Sequence, residues 1–151
     1  MAETPRLGVI GIVVTLAGIA ARLVLAGPPQ TGTGKAVTAA QEQRTAKVSC
    51  RAASERRLEN VHLEVAAGDA ITAEGGCTLL IRNSTIVAPG WGIVVQGGAE
   101  ITIEHSTIQG GTGSLSIEDG GEVTIQGSTF KGRIAKRPEG QLTNKGGNTL
   151  P

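Results

Sequence analysis

The chain between Ile71 and Phe130 consists of short runs in which apolar and polar residues alternate. The runs repeat with a constant spacing, so that Ser84, Ser106 and Ser128 occupy the same place in three repeats and lie 22 residues apart. Alternation with a period of two, in runs rich in β-branched residues, predicts β-strands. A fixed period in this range is typical of a solenoid, whose repeats bury their apolar sides only by stacking.

The alternation within each repeat predicts three short strands joined at corners. Apolar positions of successive repeats fall above one another, as Ile81, Ile103 and Ile125 do, which predicts parallel strands around an aliphatic interior. Residues that readily adopt left-handed backbone angles separate the second strand from the third. These corner residues are Asn83, His105 and Gly127.

A weaker repeat precedes these three. At an offset of 23 residues, Val48 aligns with Ile71, but Arg56 falls where an equivalent of Leu79 is expected. A terminal repeat that loses part of the pattern is typical of a cap, because its outer side meets water. The sequence therefore predicts an all-β domain of about four coils over residues 48–134.

These features resemble a known repeat. The 22-residue coil, the aliphatic columns and the corner residues Asn60 and Asn83 are similar to the right-handed parallel β-helix repeat of the pectate-lyase-like superfamily. The resemblance covers a little over half of the chain and implies a short right-handed parallel β-helix. Bactofilin cytoskeletal proteins are similar in outline, although their coils are shorter. Function does not follow from either resemblance, because a fold does not dictate its site residues.

An apolar segment at residues 7–26 precedes the repeats, and its only charge is Arg22. About 20 apolar residues are enough for a helix to span a bilayer, and Arg22 lies near the end, where its side chain can reach the headgroups. We predict one N-terminal hydrophobic helix, so residues 1–27 form a transmembrane anchor or signal segment. Residues 28–47 have the composition of a flexible linker, and residues 135–151 that of a disordered tail.

Whether the N-terminal segment is cleaved stays open at this point. Val24-Leu25-Ala26 before Gly27 fits a signal cleavage site, but the length of the apolar stretch favours an uncleaved anchor. The lysine and arginine residues that follow the segment weakly favour a cytoplasmic solenoid. We retain export to the periplasm or exterior as the first expectation and the cytoplasmic face as the alternative.

The composition argues against some partners. The net charge is +1, and the chain has one Trp, one Phe and no Tyr, so it lacks the basic surface and the stacking platforms of a nucleic-acid-binding protein. Thr31-Gly32-Thr33-Gly34-Lys35 partly matches a phosphate-binding loop, but Pro29 and Ala36 replace the required glycine and hydroxyl residue. We expect no nucleic acid and no cofactor.

Cys50 and Cys77 can form one disulfide in an oxidising compartment. The alignment places them in different coils, at positions whose Cα atoms need not lie within the ~4.4 to 6.8 Å that a bridge requires. We therefore expect free, buried thiols, although the sequence alone leaves the bridge open. No metal site is expected, because His62 and His105 lack ligand partners at a usable spacing.

We do not expect an enzyme. The resemblance implies that a catalytic relative carries clustered aspartates and basic residues on one strand face, whereas Asp69 and Asp119 lie two coils apart at corners. The outward-facing glutamates indicate a solvated polar face; they are Glu100, Glu104, Glu118 and Glu122. No residue is assigned to catalysis, to a cofactor or to a metal.

The sequence thus indicates a membrane-tethered β-solenoid that acts as a structural or binding module and presents a strand face to an envelope glycan or protein. One alternative is a cytoplasmic-face, bactofilin-like scaffold that self-associates through its coil ends, since the end strands of a solenoid expose unpaired backbone. A fragment of a polysaccharide-active enzyme is the remote alternative. The expected partners are the membrane, through residues 7–26, a glycan or protein ligand, and further copies of the chain.

Overall fold

The computed structural model describes residues 40–151. The predicted anchor and most of the predicted linker lie outside these residues. Within the described part of the chain, no helix has the length and apolar character needed to cross a membrane.

Short strands follow one another along the described residues. In chain order they are β1 (Glu42–Arg44), β2 (Val48–Cys50), β3 (Glu55–Glu59), β4 (Val61–Glu64), β5 (Ile71–Ala73), β6 (Thr78–Arg82), β7 (Thr85–Ala88), β8 (Trp91–Val95), β9 (Glu100–Glu104), β10 (Thr107–Gly110), β11 (Gly113–Ile117), β12 (Glu122–Gln126), β13 (Thr129–Lys131), β14 (Ile134–Lys136) and β15 (Gln141–Asn144). Every hydrogen-bonded pair of these strands is parallel.

The strands form three parallel sheets. Sheet 1 has the order β1-β4-β7-β10-β13, sheet 2 the order β2-β5-β8-β11-β14 and sheet 3 the order β3-β6-β9-β12-β15. The described residues therefore make about five right-handed coils of ~22 residues, which confirms the predicted all-β solenoid and adds a coil to the predicted four. The coils are coil 1 (40–59), coil 2 (60–82), coil 3 (83–104), coil 4 (105–126) and coil 5 (127–151).

The interior consists of aliphatic columns, as predicted. Ile81, Ile103 and Ile125 lie in register in sheet 3, and all are fully buried. The other two sheets contribute equivalent columns of isoleucine, leucine and valine. Because every repeat places the same kind of side chain at the same height, successive coils bury one another's apolar surface without a change of backbone geometry.

The corner between sheets 3 and 1 has the predicted backbone. Asn60, Asn83, His105 and Gly127 all have positive φ, at 55°, 49°, 48° and 58°. A Cβ built on Gly127 would lie 2.9 Å from Cδ2 of His105, so the His105 ring lies over the glycine of the next coil. His105 is thus a corner residue, in the position that asparagine holds in coils 2 and 3.

Buried serines satisfy the backbone just after this corner. Oγ of Ser106 accepts a hydrogen bond from the N–H of Ser84 at 3.1 Å, and Oγ of Ser128 accepts one from the N–H of Ser106 at 3.2 Å. In coil 5, Oδ1 of Asn148 accepts a hydrogen bond from the N–H of Ser128 at 2.8 Å. Asn148 thus replaces the serine as acceptor. The repeated serine is therefore structural, because each buried N–H needs an acceptor.

The prediction of a disordered tail at residues 135–151 is wrong. These residues complete coil 5 through most of β14 and all of β15, and Thr149 pairs with Thr129. Leu142 packs against the core, and the glycines of the segment supply corner angles, as at Gly146 (φ 95°). The segment is ordered because the edge of coil 4 offers it backbone hydrogen bonds and apolar contacts, which its polar composition does not reveal.

The linker prediction also needs correction at its C-terminal end. β1 lies within residues 28–47 and pairs with β4, so coil 1 begins before Val48. Arg56 does occupy the column of Leu79, as the alignment indicated, and its side chain is exposed at the end of the solenoid. The strand forms in spite of this substitution because its backbone pairs with β6 along its whole length.

The expectation of free thiols is wrong. Cys50 and Cys77 form a disulfide with a Cα–Cα distance of 5.8 Å, and both residues are fully buried. Cys50 ends β2 of coil 1, and Cys77 directly precedes β6 of coil 2. The corner between sheets 2 and 3 turns the chain sharply enough to bring the two positions together, which a comparison of linear positions does not show.

The interior register predicts different effects for two adjacent residues. Ile103→Asp places an unpaired carboxylate in the middle of an aliphatic column and is expected to lower the free energy of unfolding by about 4 kcal/mol or more. Thr102→Asp serves as the control, because Thr102 points outward. Chemical denaturation of both variants measures the difference, and equal effects would contradict the register.

Candidate functional site

The two aspartates at corners are not brought together. Oδ1 of Asp69 accepts the N–H of Trp91 at 2.7 Å and thereby fixes the backbone at the corner between coils 2 and 3. Asp119 lies in coil 4, exposed, with a positive φ of 41°. The described residues contain no group of three or more histidine, cysteine or acidic side chains that is able to hold a metal ion.

A polar column follows the corner between sheets 2 and 3. Its members come from all five coils; they are Arg51, Glu74, Gln96, Glu118 and Arg137. Glu74 forms an ion pair with Arg51 and accepts a hydrogen bond from Nε2 of Gln96 at 3.0 Å. Glu118 lies 3.9 Å from Nε of Arg137 and accepts a hydrogen bond from Ser116.

A shallow groove of about 510 Å³ runs beside this column, lined by Arg51, Glu74, Gln96, Asp119 and corner glycines. Within the column, an arginine at each end faces a glutamate of the next coil inward. This pattern is typical of a charge-balanced surface that holds the terminal coils to their neighbours, because Glu74 and Glu118 are each engaged by an arginine.

The outward face of sheet 3 is acidic and hydroxylated. Glu100 and Glu122 lie in register on neighbouring strands, and Thr102 and Thr124 lie beside them. Glu104 is bound by Arg82 of the preceding coil at 2.7 Å. Adjacent like charges are mildly destabilising on a sheet, so this face favours a cationic or hydrogen-bonding partner over an anionic one.

The outward face of sheet 1 carries a row of threonines. Thr85, Thr107 and Thr129 lie in register, and the bridge to Thr149 extends the row into the last turn of the chain. His62 continues the row into coil 2. Successive hydroxyl groups at strand spacing form a hydrogen-bonding surface.

The tryptophan of the chain is packed at the corner between sheets 1 and 2. Its ring lies where a Cβ of Gly113 would be, so the glycine is needed to accommodate it. The guanidinium of Arg133 covers the ring at 5.1 Å from its centroid. Because Trp91 packs at Gly113 and is covered by Arg133, the indole holds the corners of coils 3 to 5 together.

The C-terminal end of the solenoid has an apolar groove. A cavity of about 450 Å³ is lined by Arg133, Ile134, Leu142, Leu150 and Pro151. Leu150 is 44% exposed, and within residues 40–151 it is the large hydrophobic side chain that is exposed to solvent. Sequence reasoning missed this site because residues 135–151 were assigned to a tail; the alternation in Gln141-Leu142-Thr143, which matches β12, was the available signal.

The N-terminal end of the solenoid is charged, whereas the C-terminal end has an apolar groove. Two arginines stand in positions that are aliphatic in the inner coils, since Arg44 pairs with Leu63 and Arg56 with Leu79. The Arg44 guanidinium donates a hydrogen bond to Glu42 and holds the pKa of that carboxyl below its usual value. The buried disulfide secures this charged first coil to coil 2.

The family of the protein follows from this architecture and from sequence comparison. Residues 46–145 match the family described as right handed beta helix region. The match covers more than half of the chain, so the protein belongs to this family, and the resemblance read from the repeats is confirmed. A search of curated proteins and a search of solved structures gave no match. The fold supports a structural or binding role in general.

The disulfide predicts a local effect on coil 1. Replacing both cysteines, as Cys50→Ala/Cys77→Ala, is expected to lower the free energy of unfolding by about 3 kcal/mol. Coil 1 buries little apolar surface of its own, so it should open before the rest of the domain. Limited trypsin digestion should then cut at basic residues of coil 1, such as Arg44, Lys47 and Arg57.

The basic residues of coil 5 provide the internal control for this digestion. Lys131 and Arg133 should keep the same cleavage rate in the variant and the parent chain, because coil 5 contacts coil 4 and does not contact the disulfide. Equal acceleration of cleavage at both ends would contradict a local role for the bridge.

Proposed function

We propose that this protein is an exported, membrane-tethered β-helix that acts as a structural or binding module at the cell envelope. The apolar segment at residues 7–26 supplies the tether, and the solenoid presents its outward strand faces to an envelope glycan or protein. The sheet 1 threonines and the polar side chains of sheet 3 supply repeated hydrogen-bonding groups at strand spacing.

The buried Cys50–Cys77 disulfide is the observation that carries this proposal. Structural disulfides form and persist in oxidising compartments and are rare in the cytosol. The bridge is fully buried and joins the most weakly packed coil to its neighbour, so it is part of the folded structure. A domain that is stabilised in this way is suited to the periplasm or exterior, which favours export over a cytoplasmic solenoid.

The arrangement of the acids favours a module over an enzyme. Asp69 is committed to a backbone N–H, and Glu74, Glu104 and Glu118 are engaged by arginines. Asp119 lies at a corner of coil 4, away from Asp69 in coil 2. A pair of carboxylates placed for general acid/base chemistry is not formed by these residues, so a polysaccharide-active enzyme fragment remains the remote alternative.

A cytoplasmic-face scaffold that self-associates end to end is the second candidate. The observation in its favour is that β14 and β15, at the end of their sheets, have a hydrogen-bonded neighbour on one side only among the described residues. Two features weigh against it. The disulfide belongs to an oxidising compartment, and Arg44 and Arg56 occupy inward positions of coil 1, so stacked copies would place charged side chains over the apolar groove of coil 5.

Export is tested by the redox state and the accessibility of the domain in cells. The full chain is produced in cells, thiols are trapped with a membrane-permeant alkylating agent, and the protein is separated with and without reduction. We expect Cys50 and Cys77 to be oxidised and the chain to resist alkaline extraction from membranes.

A second labelling experiment determines on which side of the membrane the solenoid lies. In the Cys50→Ala/Cys77→Ala background, Thr143→Cys provides one exposed thiol, and an impermeant maleimide should label it in intact cells. The same chain in permeabilised cells is the control for reactivity. Reduced cysteines in the parent chain, or labelling of Thr143→Cys only after permeabilisation, would favour the cytoplasmic scaffold.

A further inference from the structure

Charge is unevenly distributed along the axis of the solenoid. Residues 60–126, which form coils 2 to 4, contain eight acidic residues and a single basic one, Arg82. Coil 5 contains one acidic residue, Glu139, and five basic residues, which are Lys131, Arg133, Lys136, Arg137 and Lys145. The near-neutral chain is therefore acidic in the middle and basic at its C-terminal end.

The apolar groove at that end belongs to this basic coil. Arg133 lines the groove directly, together with Ile134, Leu142 and Leu150. Lys136, the last residue of β14, and Lys145, which directly follows β15, are exposed on the same coil. An apolar groove on a coil that carries a net positive charge is complementary to a ligand that has apolar groups on one side and anionic groups on the other.

The backbone at this end narrows the class of ligand further. β14 and β15 are the terminal strands of sheets 2 and 3 in the described part of the chain. A terminal strand offers a row of N–H and C=O groups that an extended segment can pair with. Such a segment would place alternate side chains over the groove and direct the others outward, because strand side chains alternate with a period of two.

We propose that the C-terminal end of the solenoid binds an extended, acidic protein segment of another protein by strand addition to β15. Apolar residues of the segment cover Leu142 and Leu150, and its intervening acidic residues face Lys145 and the other cations of coil 5. The proposal rests on the proposed function only in that the domain is a binding module, and it does not depend on the compartment.

A second copy of the chain and a lipid surface fit this end less well. The N-terminal end of another copy carries Arg44 and Arg56 at inward positions, so stacking it on coil 5 would place charged side chains over the apolar groove. An anionic membrane would pair with the cations and cover Leu150, but lipid offers no alternating row of donors and acceptors that matches the β15 backbone. An extended acidic segment would cover the apolar groove, pair with the cations and hydrogen-bond to the β15 backbone at the same time.

Direct binding to a defined peptide tests the proposal. The probe is a short capped peptide in which valine or isoleucine alternates with glutamate, measured by fluorescence anisotropy against the full chain in phosphatidylcholine nanodiscs. We expect Leu150→Asp to weaken binding by about tenfold and Lys145→Glu by about fivefold. Arg57→Glu, on the terminal strand at the other end, is the matched control and should leave the affinity unchanged.

Two modified peptides separate strand addition from charge alone. A peptide that is N-methylated at alternate residues keeps its charge and apolar groups but cannot pair along one edge, and a peptide with lysine in place of glutamate reverses the charge. We expect both to bind much more weakly than the parent peptide. Thermal melting of each variant confirms that the domain remains folded.

The outcomes are distinct. Absence of binding, equal binding of the N-methylated or lysine peptide, or equal loss with Arg57→Glu would overturn the proposal. Binding of phosphatidylglycerol vesicles that Leu150→Asp abolishes, without peptide binding, would identify a lipid-facing end and overturn it as well. Because purified protein is used, failure here leaves the evidence on export and tethering unaffected.

Discussion

The structure depends on parallel stacking of coils in register. Each coil hydrogen-bonds to the next through three strands, and a period of about 22 residues places equivalent side chains above one another. Because of this register, equivalent residues of successive coils form columns along the axis of the solenoid. Isoleucines fill the interior, serines accept buried N–H groups at one corner, and left-handed residues such as Asn83 and His105 turn the chain at the same height in each coil. Stability is then mainly a sum over neighbouring coils.

Among residues 40–151, the two ends break this regularity because a terminal coil has a neighbour on one side only. Inward positions that are aliphatic in the middle become polar there, as at Arg44 and Arg56 in coil 1 and at Asn144 in coil 5. Inward-pointing charges on edge strands are one way in which proteins discourage uncontrolled pairing. The N-terminal coil is held in addition by a disulfide, whereas the C-terminal coil keeps an apolar groove. The ends are therefore chemically different, and they offer different partners.

The strand faces and the fold were accessible from the sequence because period and alternation are local properties. The columns around Ile103, the corner role of His105 and the degenerate match at Arg56 all follow from aligning the repeats, and the structure places them accordingly. The groove at Leu150 was not accessible in this way. Its residues belong to a polar, glycine-rich segment whose order comes from pairing with coil 4, and pairing of that kind is a contact between distant parts of the chain.

By itself, the sequence determined the coil length, the inward and outward sides of each strand and the left-handed corners, since each of these is set by neighbouring residues and by a repeating spacing. Only the tertiary structure decided that Cys50 and Cys77 are bridged, that residues 135–151 complete a fifth coil, and that Arg133 covers Trp91. These features depend on how a corner turns and on what lies one coil away. Which residues of different coils lie close together in space is decided by how the coils stack, and the spacing of residues along the chain does not specify it.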